Sequence, residues 1–436
     1  MSENFSKQFN EEKMAAVIKE FTVNAEELAE IAAAFRHDLK RGLKNPDDSS
    51  LRMLKSYVGL PTGKETGEYL ALDFGGTNVR VLRIRLMGAG QYTEVAKVAK
   101  PLKIDGEYDY IGANSNAEEM FGFLADLIGQ AVDGDKETPF LLGHTFSFPS
   151  EQTDINNAKL IIWTKEFATP GVEGKVVNEL LAEALVAKGY KNIKPVAVLN
   201  DTVAVLLSAA YKNPDTYIGS IYATGHNTCY LESYAETGEE PMILNLESGG
   251  FMKLVPNRFD VIYDEKSEKP GEQRLEKMVS GRYMGELFAL ALADVFGESA
   301  AKYGFTAVDM SGIIIDSSEN LDNAGQIIKR VTGKDFSQRE LLLIKELAAS
   351  IVIRSARLVT ATFVGIIWQT AGNGEVRMQH IAVDGSVYEK MPLVKENINR
   401  ALTELLKEQS AVVDTVLDNG GSGLGAAIAA AMVKNR

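Results

Sequence analysis

The stretch Tyr69–Leu86 reads YLALDFGGTNVRVLRIRL. An apolar run ends in a carboxylate, Asp73, and the chain turns through Phe74-Gly75-Gly76-Thr77-Asn78. It leaves as Val79 to Leu86, where Leu82, Ile84 and Leu86 alternate with charged residues. A period of two on the way out of a glycine pair predicts strand, tight turn, strand. Paired glycines let backbone N–H groups converge without Cβ interference, which makes a seat for phosphate oxygens. An ordinary β-hairpin reads the same way. The Walker loop and the dinucleotide fingerprint both run into a helix, and neither pattern is present. A phosphate here would be held by hairpin amides, by the Thr77 hydroxyl and by Arg80 just beyond the turn.

Working outward, Ile218 to Leu231, IGSIYATGHNTCYL, is again strand, glycine-containing turn, strand. The polar tips Gly75-Gly76-Thr77-Asn78 and Thr224-Gly225-His226-Asn227 predict two related halves facing one another. Between them, an apolar strand Pro195 to Leu199 ends in Asn200-Asp201-Thr202 and gives way to a helix over Val203 to Tyr211. A third glycine turn, in HIAVDGSVY, places Gly385 and Ser386 at the exit of a strand. Asp418 to Gly425, DNGGSGLG, opens into a helix over Ala426 to Val433, so its amides are available for an anion or a hinge. Elsewhere, Asn24 with Glu27 makes a capping box for a helix closing at Lys40-Arg41-Gly42. Further helices are read over Val176 to Lys188, Glu272 to Phe296, and Arg339 to Gln369 with Gly365 inside. Pro61-Thr62-Gly63 marks a crossing between domains.

With 436 residues and 45% apolar content, the chain has material for two domains. Its net charge of −14 makes nucleic acid or an anionic membrane a poor partner. A small-molecule enzyme or a soluble binding protein fits that charge. Cys229 is the only cysteine, so an intrachain disulfide and a cysteine-built zinc site are excluded, and a reducing compartment is expected. The N-terminus, MSENFSKQFNEEK, has no apolar core of signal-peptide type. The apolar run Leu358 to Trp368 is far shorter than the ~20 residues of a membrane span. The expectation is a cytoplasmic monomer or homodimer.

Asp73 and Asp201 each end a strand, where catalytic groups converge in α/β folds, although a cap or turn role explains either alone. Phosphoryl transfer requires a phosphate-binding backbone, a magnesium ion, a base near the acceptor hydroxyl and exclusion of water. Leu142 to Phe167, LGHTFSFPSEQTDINNAKLIIWTKEF, sets Ser147, Thr164 and Lys165 in apolar surroundings. Thr145-Phe146-Ser147-Phe148-Pro149 followed by Trp163-Thr164-Lys165 resembles the sugar-binding signature of the ATP-dependent hexokinase family, glucokinases included. The resemblance covers nearly all of residues 20 to 433. LDFGGTNVR and IYATGHNTCYLE resemble the family's two phosphate segments, and LNDTVAVLLSAAY the connecting segment with its catalytic aspartate. VDGSVY resembles the adenosine segment and GGSGLGAAIAAA the C-terminal connecting helix, while Asp260 to Leu287 resembles the stretch that carries a sugar-binding glutamate.

The resemblance implies an α/β, two-domain actin-like ATPase (ribonuclease H-like) fold with a central cleft. Residues 1–63 and 200–420 would form the large domain, and 64–199 with 421–436 the small one. It implies ATP and Mg2+, with glucose or a related hexose as acceptor. Asp201 would be the general base for the sugar 6-hydroxyl, with Lys165 and Arg80 completing the catalytic set. Ser147, Thr164, Lys165, Asn200, Asp201, Asn227, Glu247 and Glu276 would bind the sugar. Gly75, Gly76, Thr77, Asn78, Arg80, Thr224 and Gly225 would hold phosphates, Gly385 and Ser386 would lie near the adenosine, and Asp73 would hold magnesium through water. A catalytically silent sugar sensor on the same scaffold is the rival reading. Three positions depart from the family pattern: His144 replaces an aromatic or apolar residue, Ser248-Gly249-Gly250-Phe251 stands where Trp-Gly is common, and Gly420 stands where an acid is frequent. The four histidines, Cys229, the Arg83 and Arg85 pair, and Trp368 are read as structural.

Overall fold

The computed structural model describes residues 9–76, 78–164, 166–234, 238–298, 303–372 and 374–434. Two site candidates, Thr77 and Lys165, lie outside the described residues.

The opening stretch forms the expected hairpin, Thr66–Phe74 against Asn78–Gly88. Strand Gln91–Pro101 joins antiparallel on one side, and Phe140–Phe146 and Ile193–Leu199 join parallel on the other, giving a five-stranded sheet. The second hairpin, Thr216–Tyr222 and His226–Glu232, builds the same arrangement. Met242–Asn245 adds antiparallel on one side, Gln379–Asp384 and Val413–Leu417 add parallel on the other, and Leu54–Lys55 extends the edge of this six-stranded sheet. The two halves expected from the turns therefore share one strand order.

Each sheet is followed by a helix that packs on the other sheet. Helix Asp201–Lys212 leaves the five-stranded sheet and lies against the six-stranded one, whereas Gly421–Lys434 leaves the six-stranded sheet and lies against the five-stranded one. The two helices pack on each other, and their small residues allow it: a Cβ on Gly425 would run into the Ala204 carbonyl, and one on Gly143 into the Ala426 carbonyl. Three large apolar clusters and a small one around Val205, Ala209 and Ala382 result among the described residues. One lies beneath the small sheet with helices Ala117–Ala131 and Val177–Ala187, one fills the helical body around the large sheet, and one joins the crossed helices to Tyr69, Ala71 and Ile84. Leu70 and Leu72 belong to the first cluster and Tyr69 and Ala71 to the last, as a period of two requires of a strand buried on both faces.

Several boundaries differ from the sequence reading. The capping box at Asn24 is present, but its helix runs to Lys44 rather than Gly42. The last helix starts at Gly421, five residues before Ala426, because Gly421, Gly423 and Gly425 are packed against Asp418, Leu82 and Ala204 instead of forming a loop. The stretch read as one helix over Glu272 to Phe296 is two, Arg274–Val279 and Gly281–Phe296, separated by an extended Ser280. The cause is tertiary: Gly281 and Arg282 N–H groups donate to the carbonyls of Ala223 (2.8 Å) and Thr224 (3.2 Å) at the second hairpin tip. The long helix is Gln338–Ala371. By length and hydropathy it could cross a membrane, but 89% of its apolar window is buried inside the protein.

Candidate active site

Asp73, next to last in its strand, lies opposite Arg80 and Thr145, and the register alone brings the three together. The Thr145 hydroxyl donates to Asp73 Oδ1 (2.8 Å), Ser422 donates to Oδ2 (3.0 Å), and Arg80 donates to the same oxygen. Thr145 and Ser422 are buried, so this carboxylate is held from the protein side by two hydroxyls and faces outward with one cation. The sequence signals neither hydroxyl for this role, and Thr145 is legible there only as part of the TFSFP motif. Among the described residues, no three His, Cys, Asp or Glu side chains converge on a metal cage. One fixed carboxylate suits magnesium, which keeps several waters and leans on substrate phosphates.

Beyond Asp73, a Cβ on Gly76 would meet no protein atom within 4 Å, so packing does not require glycine there. The cradle of amides stays open to a ligand. Gly75 is different: its Cβ position lies 3.2 Å from Ser147 Oγ. That same oxygen accepts the Asp201 N–H (3.3 Å). Asn78 opens the outgoing strand and is exposed.

Helix Asp201–Lys212 begins at Asp201 itself, two residues earlier than the apolar pattern indicates, and Asn200 is its cap, accepting Thr202 N–H (2.9 Å). Asp201 Oδ1 also accepts Thr202 N–H (2.8 Å).

On the opposite wall, Glu247 adopts a left-handed backbone (φ 51°), an uncommon state for a residue with a side chain. Its Oε1 accepts from Asn245 Nδ2 (2.7 Å) and Asn227 Nδ2 (3.2 Å). Asn227 Nδ2 also donates to Asn245 Oδ1 (2.8 Å), and Asn227 Oδ1 accepts the N–H groups of Thr228 (2.6 Å) and Ser248 (3.2 Å). Every hydrogen-bonding position of Asn227 is therefore engaged within the protein. Burial pushes the Glu247 carboxyl above its ordinary range, and the charges of Asp201 and Glu276 push the same way. Glu276 comes from the short helix Arg274–Val279 and accepts His226 N–H (3.0 Å). A Cβ on Gly225 would stand 2.9 Å from Glu276 Oε2, and one on Gly249 would stand 2.9 Å from Glu276 Cβ. These two glycines let Glu276 close on the hairpin tip and on the Glu247 turn.

Thr164 is held indirectly. Its neighbour Trp163 packs in an aromatic cluster with Phe74, Phe146, Phe148 and Phe167, and donates Nε1–H to the Thr169 carbonyl (2.8 Å). Among the described residues, no hydrogen bond ties Thr164 to the other candidates. Thr224 is exposed at the second tip. Gly385 is packed tightly on that tip, where a Cβ would come 2.5 Å from the Tyr222 carbonyl, and Ser386 beside it is exposed. Asp384, which no motif singled out, ends the adjoining strand; burial, with Asp418 nearby, pushes its carboxyl up to about 6, and the Arg80 charge opposes that.

Comparison with known proteins follows the same division. Two family models, both described as hexokinase, match residues 13–211 and 217–432. Hexokinase-2 of Candida albicans is 33% identical, over 98% of this chain and 93% of its own length. Hexokinase-1 of Oryza sativa subsp. japonica is 34% identical, over 94% and 89%. Hexokinase-2 of Rattus norvegicus is 33% identical over 97% of this chain, which spans 48% of that protein. Among solved structures, a hexokinase crystal structure superposes with TM-score 0.87 at 33% identity, covering 97% of this chain and 99% of that one. The hexokinase from Schistosoma mansoni complexed with glucose gives 0.80 at 29% identity, over 98% and 100%.

Proposed function

The chain belongs to the hexokinase family and has its two-domain, actin-like ATPase (ribonuclease H-like) fold, and from that premise we propose how its own residues carry the reaction. It is an ATP-dependent sugar kinase. The reaction proposed is transfer of the γ-phosphoryl group of ATP to the 6-hydroxyl of glucose and related hexoses.

One observation carries the assignment: the Ser147 hydroxyl lies against Gly75 and accepts the Asp201 N–H at once, so phosphate turn, sugar segment and base meet at one point. Asp201 takes the proton of the 6-hydroxyl. An ordinary aspartate, with a pKa near ~3.9, is a weak base at neutral pH, so the proton moves late, as bond formation to phosphorus makes the hydroxyl acidic. Ser147, Thr164, Lys165, Asn200, Glu247 and Glu276 bind and orient the sugar. Asn227 joins them by exchanging its Glu247 bond for a sugar hydroxyl. The amides of Gly75, Gly76 and Gly225, with Thr77, Asn78 and Thr224, cradle phosphate oxygens, and Gly385 and Ser386 border the adenosine. Arg80, paired with Asp73 in the structure, turns its charge to the phosphates. Asp73 would hold magnesium through water, and the ion would supply charge neutralisation at the transferring phosphates. Closure of 64–199 with 421–436 against 1–63 with 200–420 keeps water out.

A silent sugar sensor needs no base, and Asp201 sits capped and anchored beside Ser147. The test is Asp201→Ala. Turnover in a coupled assay is expected to fall by at least ~10²-fold, the lower end of what general-base catalysis contributes, while glucose still raises the thermal midpoint. Full turnover in that variant would overturn the mechanism.

A further inference from the structure

We propose that Asn245 is the positioning residue of the sugar site: it aims the Glu247 carboxylate at the sugar and keeps hold of it when Asn227 turns away to bind. The inference rests on the reading of Asn227 and Glu247 as sugar ligands and goes beyond it.

Asn245 ends strand Met242–Asn245, where the ladder fixes it opposite Cys229 on one side and Leu54 on the other. It is 4% exposed, so its carboxamide has no alternative in solvent. Two residues on, at strand spacing, comes Glu247, and the left-handed turn at Glu247 folds its side chain back over Asn245. The outcome is a closed triangle. Asn245 donates to Glu247 Oε1 at 2.7 Å, Asn227 donates to the same oxygen at 3.2 Å, and Asn227 donates to Asn245 at 2.8 Å. The bond from Asn245 is the shorter of the two to Glu247. With Oε1 saturated from inside the protein, Oε2 is the oxygen left for a sugar hydroxyl. Asn227 cannot serve the sugar without giving up a bond, because all its positions are engaged; Asn245 is what holds Glu247 after that exchange.

The charge environment sharpens the role. Asp201 and Glu276 face Glu247 and favour its protonation, as burial does, whereas Arg52 and the Asn245 N–H oppose it. Removing the Asn245 donor would leave a carboxyl that protonates more readily and accepts the sugar hydroxyl less strongly.

Glucose binding measured by isothermal titration calorimetry, from about pH 6 to about pH 8, tests this on three variants of the full chain. Glu247→Gln reports on the underlying reading, and unchanged affinity in it overturns the sugar-ligand assignment itself. Asn245→Leu is expected to weaken glucose about 10- to 100-fold, the value of a hydrogen bond to a charged group. That loss deepens as pH falls, and kcat at saturating sugar drops far less than the affinity does. Asn245→Asp preserves the shape, and a proton shared with Glu247 restores the donor, so its affinity improves as pH falls. A residue that only packed the strand would give both variants the same pH response. That result, or near-native affinity in both alongside a weakened Glu247→Gln, overturns the inference. Should Asn245→Leu fail to fold, the sign of the pH response in Asn245→Asp decides.

Discussion

His144 is fully buried between the strands of the small sheet, its ring parallel to that of Phe74 (centroids 6.0 Å apart) and edge-on to Phe146. An imidazole with apolar rings on its faces is held neutral, and burial pushes it down to about 4, with Asn178 its polar neighbour. The unfolded value is 6.5, so between about pH 6.5 and about 4 the unfolded chain binds the extra proton. Stability contributed by this residue is complete above that window and is lost as pH falls through it. The shift corresponds to roughly 3 kcal/mol across the window. His144→Phe, which replaces the imidazole by an apolar ring, is expected to lose less thermal midpoint than the parent between pH 7 and pH 5; an equal loss would show that His144 is not the acid-sensitive group. His226 is buried in the same way and also falls to about 4, but its Nδ1–H donates to the Ile221 carbonyl (3.1 Å) and its N–H to Glu276. A phenylalanine at 226 would keep the backbone bond to Glu276 but remove the Nδ1–H donor from the Ile221 carbonyl. Cys229, expected as a packed hydrophobe, is fully buried with its thiol directed at the Thr202 carbonyl (3.2 Å). Arg83 and Arg85 are both taken up by Glu68 across the hairpin.

The longest element, helix Gln338–Ala371, shows what pattern reading sees and what it misses. Its apolar continuity is legible, and Gly365 is tolerated in mid-helix because a Cβ there would come 2.9 Å from the Ala32 carbonyl of helix Ala25–Lys44. Hidden within it is Arg354, 2% exposed, whose guanidinium makes two parallel bonds of 2.7 and 2.8 Å to Asp260. Asp260 also caps its own helix through Asn257 N–H (2.8 Å). Arg354→Met leaves that carboxylate buried without its cation and is expected to cost about 3–5 kcal/mol in urea unfolding. Arg354→Met combined with Asp260→Asn should recover part of it, and a loss under about 1 kcal/mol would mean the pair is solvated. Sequence could not pair these residues, 94 positions apart, because no local periodicity links helix Arg258–Lys266 to the long helix.

The molecule as a whole is two sheets of one strand order joined by exchanged helices, and the exchange brings the two candidate carboxylates, Asp201 and Asp73, under one pair of packed helices. Asp201 starts one crossed helix, and Ser422, which holds Asp73, lies near the start of the other. Gly425→Ala drives a methyl group into the Ala204 backbone carbonyl between them. We expect a stability loss of about 1–3 kcal/mol from overpacking, together with a fall in kcat at temperatures where the variant is fully folded. Unimpaired kcat in the folded variant would show the two sites to be independent. By itself, the sequence determined the hairpins, their polar tips, the strand-end carboxylates Asp73 and Asp201, and the family, because these depend on short-range periodicity, turn chemistry and ordered motifs. Only the tertiary structure decided that Thr145 and Ser422 hold Asp73, that the Asn227 amide hydrogens go to Asn245 and Glu247, that the helix breaks at Ser280, and that the glycines before Ala426 are helical. Each of these depends on contacts between segments far apart in the chain, where a donor or a missing Cβ acquires its meaning from a partner that local pattern cannot supply.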